Sequence, residues 1–333
     1  MIIEAKEHIV NPRVSVAVIT YNHGKYIANC LEHILAQKTD FAYEIVIADD
    51  CSKDNTRDIL EAYQQRYPEK IKLLFQDSNL GLIGNYTSLL KNCVGTYIAQ
   101  ISGDDYWCDE QKLQKQVEAL EQNSECDLCY TNTYSCDDDG VVEKRMMLKK
   151  NEITFESHLF AAGYFAPLSW MFRREVLDYA EWQSWFTDES FALALDVLAK
   201  SKIYFIDEPM TVYRCRMGSA ASPIQTGAKW RYHQGILRMQ LYYAEKYKLA
   251  DELLWKLRMQ IYATYYLLAY EAGDEKFMKE AEDFFAEAGL NMNAFIASGK
   301  EYVDYKKQFI GVKQSHAYNL GKKLLKPFKA LKG

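Results

Sequence analysis

The first third of the chain alternates between two hydrophobic periods. Val14–Thr20 (Val-Ser-Val-Ala-Val-Ile-Thr) is a nearly continuous β-branched run, the pattern of a strand buried on both faces. Tyr21-Asn22-His23-Gly24 breaks it, and in residues 25–37 Ile27, Leu31, Ile34 and Leu35 fall on one helical stripe. Residues 43–48 predict a second buried strand, ending at Asp49-Asp50-Cys51-Ser52. Residues 54–66 predict a helix, with Asp54 or Asn55 as its cap and Pro68 past its end. Ile71–Phe75 reads as a third strand, residues 77–81 as a turn, 85–92 as a helix and 97–101 as a fourth strand. Asp109 can cap a further helix whose stripe is Leu113, Val117 and Leu120.

Strand and helix alternating at this spacing predict βαβ units, hence an α/β chain with a doubly wound, mostly parallel sheet. In such sheets ligands bind beyond the carboxyl ends of the strands. Polar residues stand at those ends four times: Thr20-Tyr21-Asn22, Asp49-Asp50, Asp77-Ser78-Asn79 and Asp104-Asp105. If the strands are parallel neighbours, these groups converge on one rim. Asp104 and Asp105 carry the most information, because an apolar strand runs straight into two adjacent carboxylates. Hard oxygen donors there suit Mg²⁺ or Mn²⁺, metals that share their shell with substrate phosphates. Neither a Gly-x-Gly-x-x-Gly turn nor a Walker lysine loop follows the first strand, so phosphate would be handled by metal instead of a glycine cradle.

Composition narrows the picture. The 333 residues have room for one large domain or two smaller ones. A net charge of −6 argues against general nucleic-acid binding. The eight cysteines show no framework spacing, and Cys126-x-x-Cys129 lies in a strand-like segment, so buried free thiols are favoured over a zinc site. Thiols kept reduced, no signal-like N-terminus and no apolar span predict a cytoplasmic protein.

Four segments together carry a resemblance: Val14–Thr20 with Tyr21-Asn22, then Glu44-Ile-Val-Ile-Ala-Asp-Asp-Cys-Ser-Lys-Asp-Asn-Thr56, then Asn79-Leu80-Gly81, then Tyr97-Ile-Ala-Gln-Ile-Ser-Gly-Asp-Asp-Tyr-Trp107. In order and spacing they resemble family-2 glycosyltransferases of the GT-A fold, over about residues 12–222. The resemblance implies a nucleotide site at Thr20, Tyr21, Asn22 and Asp50. A carboxylate there can pair with base N–H groups, and a Tyr ring can stack. Asn22 alone reads as an Asx turn. Asp49 is expected to be structural, because adjacent strand residues face opposite ways. Asn79, Gly81 and Asn85 would let the backbone approach the nucleotide, whereas Gly84 stands where the family often has Arg. Asp105 would hold the metal between the phosphates, and Asp104 would face the ribose or complete the metal shell.

The second half supplies the acceptor side of the resemblance. Pro167 and Ser169 are candidates for lining the acceptor pocket. Residues 203–214 resemble the strand–turn–strand that closes the family's catalytic domain. Arg214 and Arg216 are candidates for diphosphate binding, with Arg216 in place of a usual His. An inverting transferase needs one general base for the acceptor hydroxyl. Asp188 is favoured, then Glu189, with Asp196 third because it sits mid-helix. The organisation expected is a transferase domain at 1–222, a helical domain at 223–304 and a basic amphipathic tail at 305–333. That tail can rest on anionic lipid or stay solvated. The activity implied is metal-dependent, inverting transfer of a sugar from a nucleoside diphosphate donor, UDP favoured. The acceptor would be a glycan or lipid-linked saccharide, in cell-surface polysaccharide biosynthesis. The alternatives are a sugar nucleotidyltransferase and a non-catalytic glycan-binding module.

Overall fold

The computed structural model describes residues 2–3, 9, 11–146, 153–161, 165–177, 182–215, 225–290, 293, 296–297 and 300. In chain order the elements are β1 (Ile2–Ile3), β2 (Val14–Thr20), α1 (Ile27–Leu35), β3 (Tyr43–Asp49), α2 (Thr56–Arg66), β4 (Ile71–Phe75), α3 (Gly81–Lys91), β5 (Tyr97–Ser102) and β6 (Tyr106–Trp107). They continue with α4 (Lys112–Gln122), β7 (Cys126–Cys136), β8 (Val142–Met146), α5 (Phe155–Ala161), β9 (Met171–Arg173), α6 (Glu189–Leu198) and β10 (Lys202–Arg214). Three helices follow: α7 (Thr226–Lys246), α8 (Asp251–Ala272) and α9 (Glu275–Glu287).

The strands form one mixed sheet in the order β1-β4-β3-β2-β5-β9-β7-β10-β6, with β8 paired to β7. Its first half is the parallel run β4-β3-β2-β5. The β-branched strands β2 and β3 are buried on both faces, as the unbroken apolar runs predict. One face packs Val14, Val16 and Val18 against Ile27, Leu31 and Ile34 of α1, Leu60 of α2, and Leu113, Val117 and Leu120 of α4. The other face packs Ala17, Val46 and Ala48 against Tyr86, Leu89 and Leu90 of α3, and Leu193, Ala194 and Val197 of α6. Helices on both faces make the sheet doubly wound. Truncating Leu31, fully buried between α1 and the sheet, to Ala would cost about 2–5 kcal/mol.

Strand order reverses at β2. The chain steps from β2 outward to β3 and β4, then returns to place β5 on the other side of β2. In open α/β sheets that reversal opens a crevice at the carboxyl ends of the two strands, here after Thr20 and Ser102.

The second half of the sheet departs from expectation at β10. Asp207-Glu208-Pro209 reads as a turn, yet β10 is a single strand parallel to β7, with register shifts on both sides of Pro209. A bulge lets the sheet accept a residue with no N–H, so pairing resumes without a reversal. The end of β10 then pairs antiparallel with β6, Thr211 opposite Trp107 and Val212 opposite Tyr106. Eight free cysteines are present, five of them buried.

The chain separates into two units, one formed by residues up to 222 with 234–248, the other by 223–233 and residues from 249. In the second unit, Tyr266 of α8 packs with Ala281 and Phe285 of α9. Gly273 ends α8 in the left-handed conformation (φ 78°), where a residue without Cβ fits at no steric cost. Asp274 then caps α9 through the Phe277 N–H and also accepts the Trp230 indole at 3.0 Å.

Candidate active site at the strand ends

The tip of β2 lies between its neighbours: Asp50 N–H donates to the Thr20 carbonyl (3.0 Å) and Gly103 N–H to the Ile19 carbonyl (2.9 Å). Thr20 is 1% exposed, and its hydroxyl has no hydrogen-bond partner. A buried hydroxyl without a partner is costly in an apolar setting, and this one lies at the tip of β2 beside Gly103. Tyr21 is 44% exposed, leaving its ring open to a planar group. Asn22 adopts φ 54°, a left-handed conformation that Asn tolerates. It accepts the Lys53 N–H (2.8 Å) and donates its own N–H to the Ser52 hydroxyl (2.8 Å), so it acts as a turn residue.

The tip of β3 separates its two acids. Asp49 is fully buried and accepts from Ser52 N–H, the Ser52 hydroxyl and Arg57 Nε (2.6 Å). It ties the strand end to α2. Asp50 accepts the Leu80 N–H at 2.6 Å, and its carbonyl takes the Asn79 amide at 3.3 Å. Burial pushes the Asp50 carboxyl above its ordinary value, against the pull of the Leu80 and Gly81 N–H groups. Gly81 (φ 74°) opens α3 while donating to Asn79 Oδ1 at 3.1 Å. Asn85 is buried between strands, donating to the Ala48 carbonyl and accepting from Gln76. Its amide therefore joins α3 to β3 and β4.

The tip of β5 is the densest cluster. Gly103 is needed for close approach: a Cβ there would lie 2.7 Å from Ile27 Cδ1 and 3.0 Å from Thr20 Oγ1. Asp104 Oδ1 accepts the Ser102 hydroxyl, and its Oδ2 lies 3.8 Å from His23 Nε2. Asp105 is 5% exposed and its Oδ1 accepts the Arg214 main-chain N–H at 2.8 Å. Among the described residues no group of three or more His, Cys, Asp or Glu is placed to hold a metal. The donor chemistry still fits Mg²⁺ or Mn²⁺, which take one or two carboxylates and fill the rest of the shell with water and substrate phosphate.

Sequence reasoning missed His23, although it sits in the loop that breaks β2. It also missed how firmly Pro167–Ser169 is held. Three consecutive carbonyls there accept side chains from three elements: Pro167 from Gln100 (3.2 Å), Leu168 from the Trp107 indole (3.1 Å) and Ser169 from Gln116 (2.8 Å). Ser169 is itself fully buried, its hydroxyl donating to the Ala166 carbonyl. No local pattern announces such a turn, because every donor is remote in sequence.

The three acids of the α6 region are told apart by their partners. Asp188 caps α6, accepting the Phe191 N–H (2.8 Å) and the Ser190 hydroxyl (2.6 Å). Asp196 is 1% exposed and accepts from Trp182, Tyr243, Lys246 and Tyr247. That saturation makes it a packing anchor between α6 and α7. Glu189 is different: burial of its carboxyl, then the neighbouring Asp188 charge, push it well above the usual carboxylate range. It also acts electrostatically on Tyr86 of α3. Arg214 is 7% exposed, with its guanidinium on main-chain carbonyls. Arg216 and the tail at 305–333 lie outside the described residues.

Residues 15–179 match the family model described as glycosyl transferase family 2. An uncharacterized protein of Mycobacterium tuberculosis is 30% identical over 203 residues, 60% of this chain and 58% of the relative, so the chain spans under two thirds of that relative. The putative teichuronic acid biosynthesis glycosyltransferase TuaG of Bacillus subtilis is 29% identical over 231 residues, covering 68% of this chain and 90% of the relative. Among solved structures, S. aureus TarS 1-349 in complex with UDP-GlcNAc aligns with a TM-score of 0.55 at 18% identity, over 84% of this chain and 92% of that one. The mannosyltransferase PcManGT of Pyrobaculum calidifontis, in complex with GDP-Man and Mn²⁺, gives 0.54 at 15% identity, over 96% and 86%. These likenesses show the fold.

Proposed function

Because residues 15–179 belong to glycosyltransferase family 2, on a GT-A sheet, we propose that the chain is a metal-dependent, inverting glycosyltransferase. It takes a nucleoside diphosphate sugar, UDP-linked by preference, and a glycan or lipid-linked saccharide acceptor. The observation that carries this reading is the meeting of Thr20–Asn22, Asp50 and Asp104–Asp105 at the carboxyl ends of three adjacent parallel strands, where strand order reverses. A role in cell-surface polysaccharide synthesis is supported by the name of the Bacillus relative.

In this reading Tyr21 stacks on the base and Asp50 accepts its N–H groups, both presented at the crevice by main-chain geometry. Asn79 and Gly81 shape the backbone beside Asp50, while Asn22 and Asn85 hold the loops in place. Asp105, with Asp104, would hold Mn²⁺ or Mg²⁺. Such a metal neutralises charge on the departing nucleoside diphosphate. Glu189 takes the proton of the acceptor hydroxyl, because a base works best with a pKa raised toward the operating pH. Asp188, the acid favoured on sequence alone, fixes the helix start that presents Glu189.

Membrane contact rests on the lysine-rich tail. Among the described residues no helix is long and apolar enough to cross a membrane. The site itself is tested by calorimetric titration of UDP and GDP in Mn²⁺ and in EDTA. UDP is expected to bind with metal, and Asp105→Ala to remove the metal-dependent gain. Equal affinity with and without Mn²⁺, or an unaffected variant, overturns the proposal. Screening UDP-sugars for hydrolysis then identifies the donor.

A further inference from the structure

Arg214 ends β10 and reaches three separate pieces of chain. Its main-chain N–H donates to Asp105 Oδ1 (2.8 Å) and its Nε to the Asp104 carbonyl (2.9 Å). A terminal guanidinium nitrogen donates to the carbonyls of Asp137 (3.2 Å) and Asp138 (3.1 Å), in the turn between β7 and β8. The guanidinium carbon lies 4.9 Å from the centre of the Tyr26 ring and 5.9 Å from that of Tyr106.

The turn it holds is tied down from the other side as well. Asp137 Oδ1 accepts the N–H groups of Asp139 (3.0 Å) and Val141 (2.8 Å). Asp138 accepts the Tyr26 hydroxyl and the Lys25 ammonium (2.8 Å). Gly140 has φ 87°, and a Cβ there would sit 3.5 Å from the guanidinium. The turn is thus shaped around the arginine head group.

The structure assigns Arg214 the part of a positioning residue that locks the Asp104–Asp105 turn to the β7–β8 turn, in place of the diphosphate contact expected from sequence. This rests on the transferase reading of the site. Three of the five guanidinium N–H donors are already given to carbonyl oxygens and so are not presented to a phosphate. A guanidinium offers a planar fork with fixed donor directions, whereas an ammonium is a point charge on a flexible stem. Lysine keeps the charge at this position and loses the fork.

The test compares Arg214→Lys with Lys25→Ala, whose side chain is 55% exposed and whose loss leaves the core intact. Two readouts are taken on the full chain: hydrogen exchange of amides 137–141 without ligand, and UDP affinity in Mn²⁺ and in EDTA. Arg214→Lys is expected to speed exchange and to reduce the Mn²⁺-dependent gain in UDP affinity, each about tenfold, with affinity in EDTA unchanged. Lys25→Ala should speed exchange of the turn by only about two- to threefold, as for a surface ion pair. Unchanged exchange in Arg214→Lys overturns the proposal. So does a loss of UDP affinity that is equal in Mn²⁺ and EDTA, which marks direct phosphate contact. If the unsubstituted protein shows no metal-dependent UDP binding, the transferase reading fails, and the exchange rates still decide whether Arg214 clamps the turn.

Discussion

The tips of β3 and β5 each carry two adjacent aspartates, and the fold treats them differently. At β3 the partners come from nearer in sequence: Asp49 takes Ser52 and Arg57, 3 and 8 residues on, and Asp50 takes the Leu80 N–H, 30 residues on. At β5 the closest support is Ser102, but Asp105 is held by Arg214, 109 residues away. Asp49 is closed by its own loop and helix, and Asp50 by the loop that leads from β4 into α3. The β5 tip is completed only when β10 pairs with β6. A nucleobase site, the part proposed for the β3 tip, needs only one fixed acceptor and one ring. If the β5 tip holds a metal, as proposed, its carboxylates face changing charge and gain from a brace in a second direction, which β10 supplies.

The largest expected effect lies on neither tip and sets the reference for both. Glu189→Gln should lower kcat/KM about 10³-fold with donor affinity unchanged, the loss expected for a general base. The sign of its pH dependence follows from the raised carboxyl. Activity rises with pH through a pKa above the ordinary carboxylate range, since the base acts ionised. Stability runs the other way, falling as pH rises through that value, because the folded protein disfavours the charged form. The Gln variant should therefore gain Tm at alkaline pH. A variant that keeps activity and its pH profile removes Glu189 from the chemistry.

Next in size, the two tips should fail in different ways. Asp105→Asn is expected to lower kcat by about 10²–10³-fold, the scale of one lost electrostatic contact to developing charge. Asp50→Asn should instead raise the donor KM by about tenfold with kcat nearly unchanged, as for one lost hydrogen bond to a ligand. Steady-state kinetics with a donor identified by the hydrolysis screen separate these outcomes. If both substitutions act on kcat alike, the division between a base-binding tip and a charge-stabilising tip is wrong.

The same contrast explains what the sequence discloses. Strands β2 to β5 are legible to within a residue or so, because burial on both faces demands nearly continuous, largely apolar runs. Asp49 as a structural acid follows from strand alternation alone. Helix α3 begins a turn earlier than its apolar pattern, since Gly81 and Gly84 hide the start from propensity. Asp207-Glu208-Pro209 imitates a turn because pairing to β7 cannot be seen locally. The contact of Arg214 with Asp105 and the pinned carbonyls of residues 167–169 are invisible for the same reason. Local periodicity carries the frame and most of the β3 tip, and long-range pairing completes the β5 tip.

The smallest expected effect concerns what lies beneath the second tip. Lys112 opens α4, where a lysine ordinarily reads as solvated, yet it is fully buried. Its ammonium lies 4.2 Å from the Trp107 ring centre and donates to Gln116 at 2.6 Å. Burial pulls it down to about 7 from an ordinary 10.5. Between those values the unfolded chain binds more protons than the folded one, so stability rises with pH there and the penalty is complete below about 7. Lys112→Met should therefore stabilise the protein by about 1–2 kcal/mol at pH 6, with the gain shrinking toward pH 10. Urea unfolding at pH 6, 8 and 10 measures it. Because Trp107 stands two residues after Asp105, the same variant asks whether the tip needs the charge below it. Retained kcat/KM with the stability gain places the brace in Arg214 alone. A fall in kcat with donor KM unchanged makes Lys112 part of the support and narrows the difference between the two tips.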